Sequence, residues 1–212
     1  IVLINLFNYR IIIFDLDDTV YNESHYLKQA YRYIGECLCK RVLDCKSTPD
    51  EISSFLFLEF EKEGRSRLYE KLSNKYNIGN FCLDDFLKCM RTVPLEEGSI
   101  KINSDMYSLI DRLIKKEKMV FILTNGNVDQ QMNKIKSLDL PHKDKIKVFY
   151  ASSRGFDLQK PSPYFVNEIK KSYSSRESDI IFIGDSEVDK KTAFNSDIDF
   201  INVQDLESQS KY

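Results

Sequence analysis

The sequence predicts an α/β protein: a Rossmann-like parallel-sheet core with an inserted α-helical domain. Three observations predict it. Five short runs rich in Ile, Val and Phe are bounded by polar or turn residues: Arg10–Phe14, Met119–Leu123, Ile146–Tyr150, Ile180–Ile183 and Ile198–Val203. They are too short for helices and read as buried strands. The later runs alternate with helical patterns, as the strands of a parallel sheet covered on both faces do. Between the first run and the second there is helical periodicity and no strand pattern. The core is therefore expected over residues 1–20 and 100–212, and the helical insert over 21–99.

Taken in order, the apolar opening Ile1–Phe14 is broken by Asn5, Asn8 and Arg10 before it runs into Asp15. A secretory leader needs an unbroken apolar core and a small-residue cleavage site, so this stretch reads as the approach to a strand. In the insert, Leu27, Ala30, Ile34, Leu38 and Val42 keep the three-to-four spacing of a first helix. Thr48-Pro49-Asp50-Glu51 is a capping box opening a second helix, with Ile52, Phe55, Leu56 and Phe60 on its apolar face. Leu68, Leu72 and Tyr76 mark a third helix, and Leu83, Phe86, Leu87 and Met90 a fourth, enough for a small bundle. All five cysteines (Cys37, Cys39, Cys45, Cys82 and Cys89) fall here. They are odd in number and lack the C-x-x-C spacing of a zinc or redox site, so reduced thiols are expected. Past the insert, Met106, Leu109, Ile110, Leu113 and Ile114 share one helical face, and Val128, Met132, Ile135 and Leu138 another. Ser162-Pro163 reads as an N-cap followed by Pro at the first helical position, continued by Phe165, Val166 and Ile169.

Composition narrows the chemistry. An apolar fraction of 42% with 30% charged residues excludes a largely disordered chain. A net charge of -2 supplies no bulk positive field, so a nucleic-acid partner is not expected. No stretch approaches the ~18 consecutive apolar residues of a membrane span, and a cytoplasmic location is expected. Two His leave little material for His-based catalysis, which puts any chemistry on carboxylates.

In a parallel α/β sheet function collects beyond the carboxyl ends of the strands. There the sequence places Asp15-Leu16-Asp17-Asp18-Thr19, then Thr124-Asn125-Gly126, then Lys160-Pro161 past a loop, and finally Gly184-Asp185-Ser186-Glu187-Val188-Asp189. Crowded carboxylates repel unless a cation sits among them. Oxygen ligands without imidazole or thiolate suit Mg²⁺. Asp18 and Glu187 read as solvent-facing, His25 as a helix-start or surface residue, and Tyr26, Tyr31 and Tyr33 as packing within the insert.

This ordered set resembles the haloacid dehalogenase superfamily, through D-x-D-x-T at Asp15–Thr19, the motif-two Thr124, the motif-three Lys160 and the acidic motif four at Asp185 and Asp189. Gly155 precedes Lys160 by two positions more than in the common Gly-x-x-Lys-Pro form. The resemblance covers essentially the whole chain if the insert is the family's cap. It implies Asp15 as nucleophile and Asp17 as general acid and base. It implies Mg²⁺ held by the Asp15 carboxylate, the Asp17 backbone carbonyl and the Asp185 carboxylate. Thr124 and the amide of Asn125 would bind phosphoryl oxygens, Lys160 would supply fixed positive charge, and Asp189 would orient Lys160 or a metal-bound water. An acid at position 17 points away from dehalogenases and ion-pumping ATPases. The expected activity is a Mg²⁺-dependent phosphatase acting on a small soluble phosphomonoester: a sugar phosphate, sugar-acid phosphate or nucleotide monophosphate. A phosphomutase on the same core and a non-catalytic binding protein on the same fold are the alternatives.

Overall fold

A computed structural model of the chain describes residues 5–42 and 46–209, with side chains through residue 206. Five strands, β1 (Ile11–Phe14), β2 (Met119–Thr124), β3 (Lys147–Tyr150), β4 (Ile180–Gly184) and β5 (Asp199–Asn202), form one sheet. Its order is β3-β2-β1-β4-β5, and every pairing is parallel. Each apolar run of the sequence overlaps one of these strands, with β2 and β4 each running one residue further, to Thr124 and Gly184. The last run is shorter at both ends than the sequence predicts, because Val203 opens a helix instead of closing the strand.

The helices are α1 (Ser24–Arg41), α2 (Pro49–Glu63), α3 (Leu68–Lys75), α4 (Leu83–Arg91), α5 (Ser104–Lys115), α6 (Val128–Ser137), α7 (Tyr164–Tyr173), α8 (Glu187–Asn195) and α9 (Val203–Gln209). The chain divides into two compact units: Glu23–Ile100 with Met132–Ser137, and the remainder. The split passes through α6, between Gln131 and Met132.

In the sheet unit, β1 lies at the centre and is buried along its whole length. On one face Ile11, Ile13, Phe121, Leu123, Ile180 and Phe182 pack with Phe165, Val166 and Ile169 of α7 and Ala193 of α8. Alternation along each strand turns the equally buried Ile12, Phe14, Val120, Ile122, Ile181 and Ile183 to the other face. Burial on both faces explains the continuous apolar runs. The register sets Phe14, the last residue of β1, beside Ile122 and Ile183; β2 runs two residues past that level, to Thr124, and β4 one, to Gly184. Helix α7 begins one residue later than its sequence signal. Pro163 is its N-cap, and the Ser162 hydroxyl accepts from the Tyr164 N–H at 3.4 Å.

The second unit is helical, with α1 packed on α2 and α4. The Thr48 capping box is formed: Thr48 Oγ1 accepts the Glu51 N–H at 3.2 Å, and the Glu51 carboxylate accepts the Thr48 N–H at 2.8 Å. Gly35 lets α1 and α2 meet, since a Cβ there would stand 2.6 Å from the Pro49 carbonyl oxygen. Lys134, 1% exposed, is neutralised by Glu23 at 2.5 Å, and Arg65 binds the same carboxylate oxygen. Cys37, Cys39, Cys82 and Cys89 form no disulfide among the described residues, and Cys45 lies outside them.

One expected face is corrected. Val128, Met132, Ile135 and Leu138 do not share a buried stripe: Met132 is 52% exposed, and Gln131 and Lys134 are buried beside Ile135 instead. Hydrogen bonds and an ion pair made by those two polar residues, which could not stay unpaired once buried, set how α6 is turned. Among the described residues no helix is long and apolar enough to cross a membrane.

Candidate active site

The ends of β1 and β4, paired at the sheet centre, deliver the acids. Asp15 follows β1 directly, its N–H donating to the Ile183 carbonyl at 2.9 Å, which extends the ladder by one bond and fixes where the side chain leaves the sheet. Asp185 follows β4. Its Oδ1 accepts from the Thr19 hydroxyl at 3.4 Å, and its carbonyl accepts from the Asn202 side chain at 3.3 Å. Asp189 is fully buried at the third position of α8. There it forms a capping box with Ser186, its Oδ2 accepting from the Ser186 hydroxyl at 2.5 Å and the Ser186 N–H at 3.2 Å. That carboxylate lies against Gly184, where a Cβ would be 2.5 Å from the Asp189 Cβ. Only glycine fits at the end of β4.

Lys160 arrives from the other side of the sheet. The segment after β3 makes two 3-10 turns, Ala151–Arg154 and Phe156–Leu158, about Gly155. The extra residues ahead of Lys160 are taken up in these turns, and its ammonium reaches the acids. Nζ donates to Asp15 Oδ1 and, at 2.6 Å, to Asp189 Oδ1. It also stands 5.6 Å from the centre of the Phe182 ring. Asn125 holds it from behind: Nδ2 donates to the Lys160 carbonyl at 2.9 Å, and Oδ1 accepts the Lys160 N–H at 3.0 Å.

Asp17 takes a different direction from Asp15. Its Oδ1 accepts from the Tyr21 hydroxyl at 2.9 Å and its Oδ2 from Gln131 Nε2 at 2.9 Å. Thr124, buried at the end of β2, donates to the Asn125 carbonyl at 3.1 Å and accepts from Gln131 at 2.7 Å. Asp18 and Glu187 are exposed, as is His25 in the first turn of α1.

Carboxylate oxygens of Asp15, Asp185 and Asp189 lie within 4.8 Å of one another. Burial pushes the Asp15 carboxyl up to about 7, with Asp189 and Asp17 adding to the rise and Lys160 opposing it. Asp185 is raised too, by burial and then by Asp189. Burial would lower the Lys160 ammonium, but Asp15 and Asp189 together outweigh it and raise its pKa. One ammonium faces more carboxylate charge than it can balance, in a donor set made of oxygen alone. That set fits a hard divalent cation such as Mg²⁺. Both Asp189 oxygens are engaged by Lys160 and Ser186, which leaves Asp15 and Asp185 as the side chains suited to hold it.

The sequence reading did not single out Gln131, Tyr21, Ser186 or the Asn125 side chain for these roles. Ser186-x-x-Asp189 is a readable capping signal. Gln131 carries no signal in the α6 pattern, because its partners Thr124, Asn125 and Asp17 all lie outside that helix.

A family model of haloacid dehalogenase-like hydrolases matches residues 12–203. No curated protein matches the chain significantly. Solved structures of similar fold include YfnB of Bacillus subtilis, a candidate HAD hydrolase bound to magnesium, at 22% identity over 91% of this chain and 86% of that one, TM-score 0.62. A candidate phosphoglycolate phosphatase of Lactobacillus delbrueckii subsp. bulgaricus aligns at 21% identity over 92% and 86%, TM-score 0.56. A candidate β-phosphoglucomutase of Thermotoga maritima aligns at 15% identity over 95% and 98%, TM-score 0.58. At these identities the likeness is one of fold.

Proposed function

The chain belongs to the haloacid dehalogenase-like hydrolases, and from that premise we propose that it is a Mg²⁺-dependent phosphatase acting on a small phosphomonoester. One observation carries the reading: Lys160 joins Asp15 to Asp189 beside Asp185, at the ends of adjacent strands, with a second acid, Asp17, two residues from the first. A buried carboxylate, a fixed ammonium and a separate acid are what phosphoryl transfer to a side chain needs.

In this reading an Asp15 carboxylate oxygen attacks phosphorus while the P–O bond to the leaving alcohol breaks, giving an aspartyl-phosphate. Asp17 passes a proton to the departing oxygen, then takes one from the water that hydrolyses the acyl-phosphate. Lys160 stays charged and neutralises phosphoryl oxygens, kept in place by Asp189 and Asn125. The Thr124 hydroxyl and the Asn125 N–H bind phosphoryl oxygens. Asp15, Asp185 and the Asp17 carbonyl would hold Mg²⁺, which would supply the charge that screens the phosphate from the carboxylates. The helical unit acts as a cap that selects the leaving group, which makes sugar phosphates, sugar-acid phosphates and nucleotide monophosphates the substrates to screen.

The test is phosphate release from p-nitrophenyl phosphate and a panel of phosphorylated metabolites, with Mg²⁺, by wild type, Asp15→Asn and Asp17→Asn. Asp15→Asn should abolish turnover with the fold intact. Asp17→Asn should slow natural alcohols by roughly 10²–10⁴. Equal rates for wild type and Asp15→Asn would place the nucleophile elsewhere, and an isomerised sugar phosphate in place of free phosphate would make the protein a mutase.

A further inference from the structure

We propose that Gln131 is a positioning residue of this reaction, its carboxamide aiming both Asp17 and the Thr124 hydroxyl at the scissile ester. The inference rests on the phosphatase reading and assigns work to a residue outside its motifs.

Gln131 is 4% exposed, on the first turn of α6. Its Nε2 lies 2.7 Å from Thr124 Oγ1, 2.9 Å from Asp17 Oδ2 and 2.9 Å from the Asn125 carbonyl oxygen. An amide nitrogen carries two hydrogens. The Asn125 carbonyl also receives the Thr124 hydroxyl at 3.1 Å, so Gln131 shares its two hydrogens among three acceptors, of which Thr124 is the nearest and Asp17 the charged one.

Each bond has a consequence for the chemistry. Thr124 accepts from Gln131, so its O–H points away and can swing from the Asn125 carbonyl to a phosphoryl oxygen. Asp17 has Oδ2 held by a group that only donates, so Oδ2 stays an acceptor. The proton that Asp17 gives to the leaving oxygen is then carried on Oδ1, next to the Tyr21 hydroxyl 2.9 Å away. One buried amide therefore couples the group that holds the phosphate to the group that protonates the alcohol. A helix that wanted only apolar burial would have turned Met132 inward, yet Met132 is exposed and Gln131 is not.

Gln131→Met keeps the length and volume of the side chain and removes the donors. The full-length variant and wild type are compared, with Mg²⁺, on aryl phosphates of graded phenol acidity and one alkyl phosphate. A misaimed acid costs most where the leaving group needs the proton most. The expected result is a loss under about 3-fold on p-nitrophenyl phosphate and roughly 30–100-fold in kcat on the alkyl ester. An unchanged profile, or an equal loss across the panel, would overturn the positioning role. If Gln131→Met shows no cooperative melt, Gln131→Asn, which keeps the amide one methylene short, is read on the same panel and should show the same ordering with smaller losses. Wild type inactive on every ester would instead sink the phosphatase reading, and the inference with it.

Discussion

The Asn125 carboxamide pairs with both backbone groups of Lys160, at 2.9 and 3.0 Å, across 35 residues of chain. The end of β2 thereby positions a lysine that the sequence delivers from a loop after β3. A buried ammonium between two carboxylates gains only where its geometry is held, and this pairing holds it.

Asn125→Ala should leave the fold intact and lower kcat/KM by roughly 10–10², the cost of a small misplacement of a charged group. Asn125→Asp keeps the acceptor for the Lys160 N–H but sets a carboxylate against its carbonyl, and should be no better. Steady-state kinetics with a circular-dichroism melt decide it; wild-type kcat/KM in Asn125→Ala would mean Lys160 needs no such support.

Metal removal should abolish turnover, and Mg²⁺ or Mn²⁺ should restore it, because Asp15 and Asp185 leave carboxylate charge that Lys160 does not balance. Zn²⁺ should substitute poorly, given the lack of nitrogen or sulfur donors. Mg²⁺ should also raise the Tm of wild type by mass action and that of Asp185→Asn far less. Full activity in excess chelator would refute the assignment.

Gly184→Ala places a methyl 2.5 Å from the Asp189 Cβ and 2.6 Å from its Cγ. The carboxylate must move, and with it the Lys160 contact. A loss of about 1–3 kcal/mol in denaturant unfolding is expected from the overpacking, together with near-complete loss of activity. A variant with wild-type midpoint and rate would show that Asp189 has room to shift.

Acid stability of the helical unit should depend on Asp85. The Cys82 N–H, then Arg41 and the Cys82 thiol, hold its carboxyl down at about 2, against an ordinary 3.8. A carboxyl depressed in the folded state stabilises fully above the unfolded value and loses that contribution as pH falls through the folded one. The Tm gap between wild type and Asp85→Asn should therefore be constant near neutrality and close between about pH 4 and 2. A gap that persists at pH 2 would contradict the cause assigned.

The sequence by itself determined the α/β class, the five strands, the four helices of the insert and that Asp15, Asp185 and Asp189 stand past strand ends. Strands buried on both faces must be continuous apolar runs, and a capping box such as Thr48–Glu51 is complete within four residues, so both are written locally. Only the tertiary structure decided how Lys160 reaches Asp15 past a lengthened loop, which face α6 buries, and that Gln131 joins Asp17 to Thr124. Those facts depend on partners brought together by strand order. For α6 the periodicity favoured Met132, whereas hydrogen bonds to residues of other elements favoured Gln131. A buried polar group is stable only beside partners that satisfy it, and no local pattern along the chain records where those partners will be.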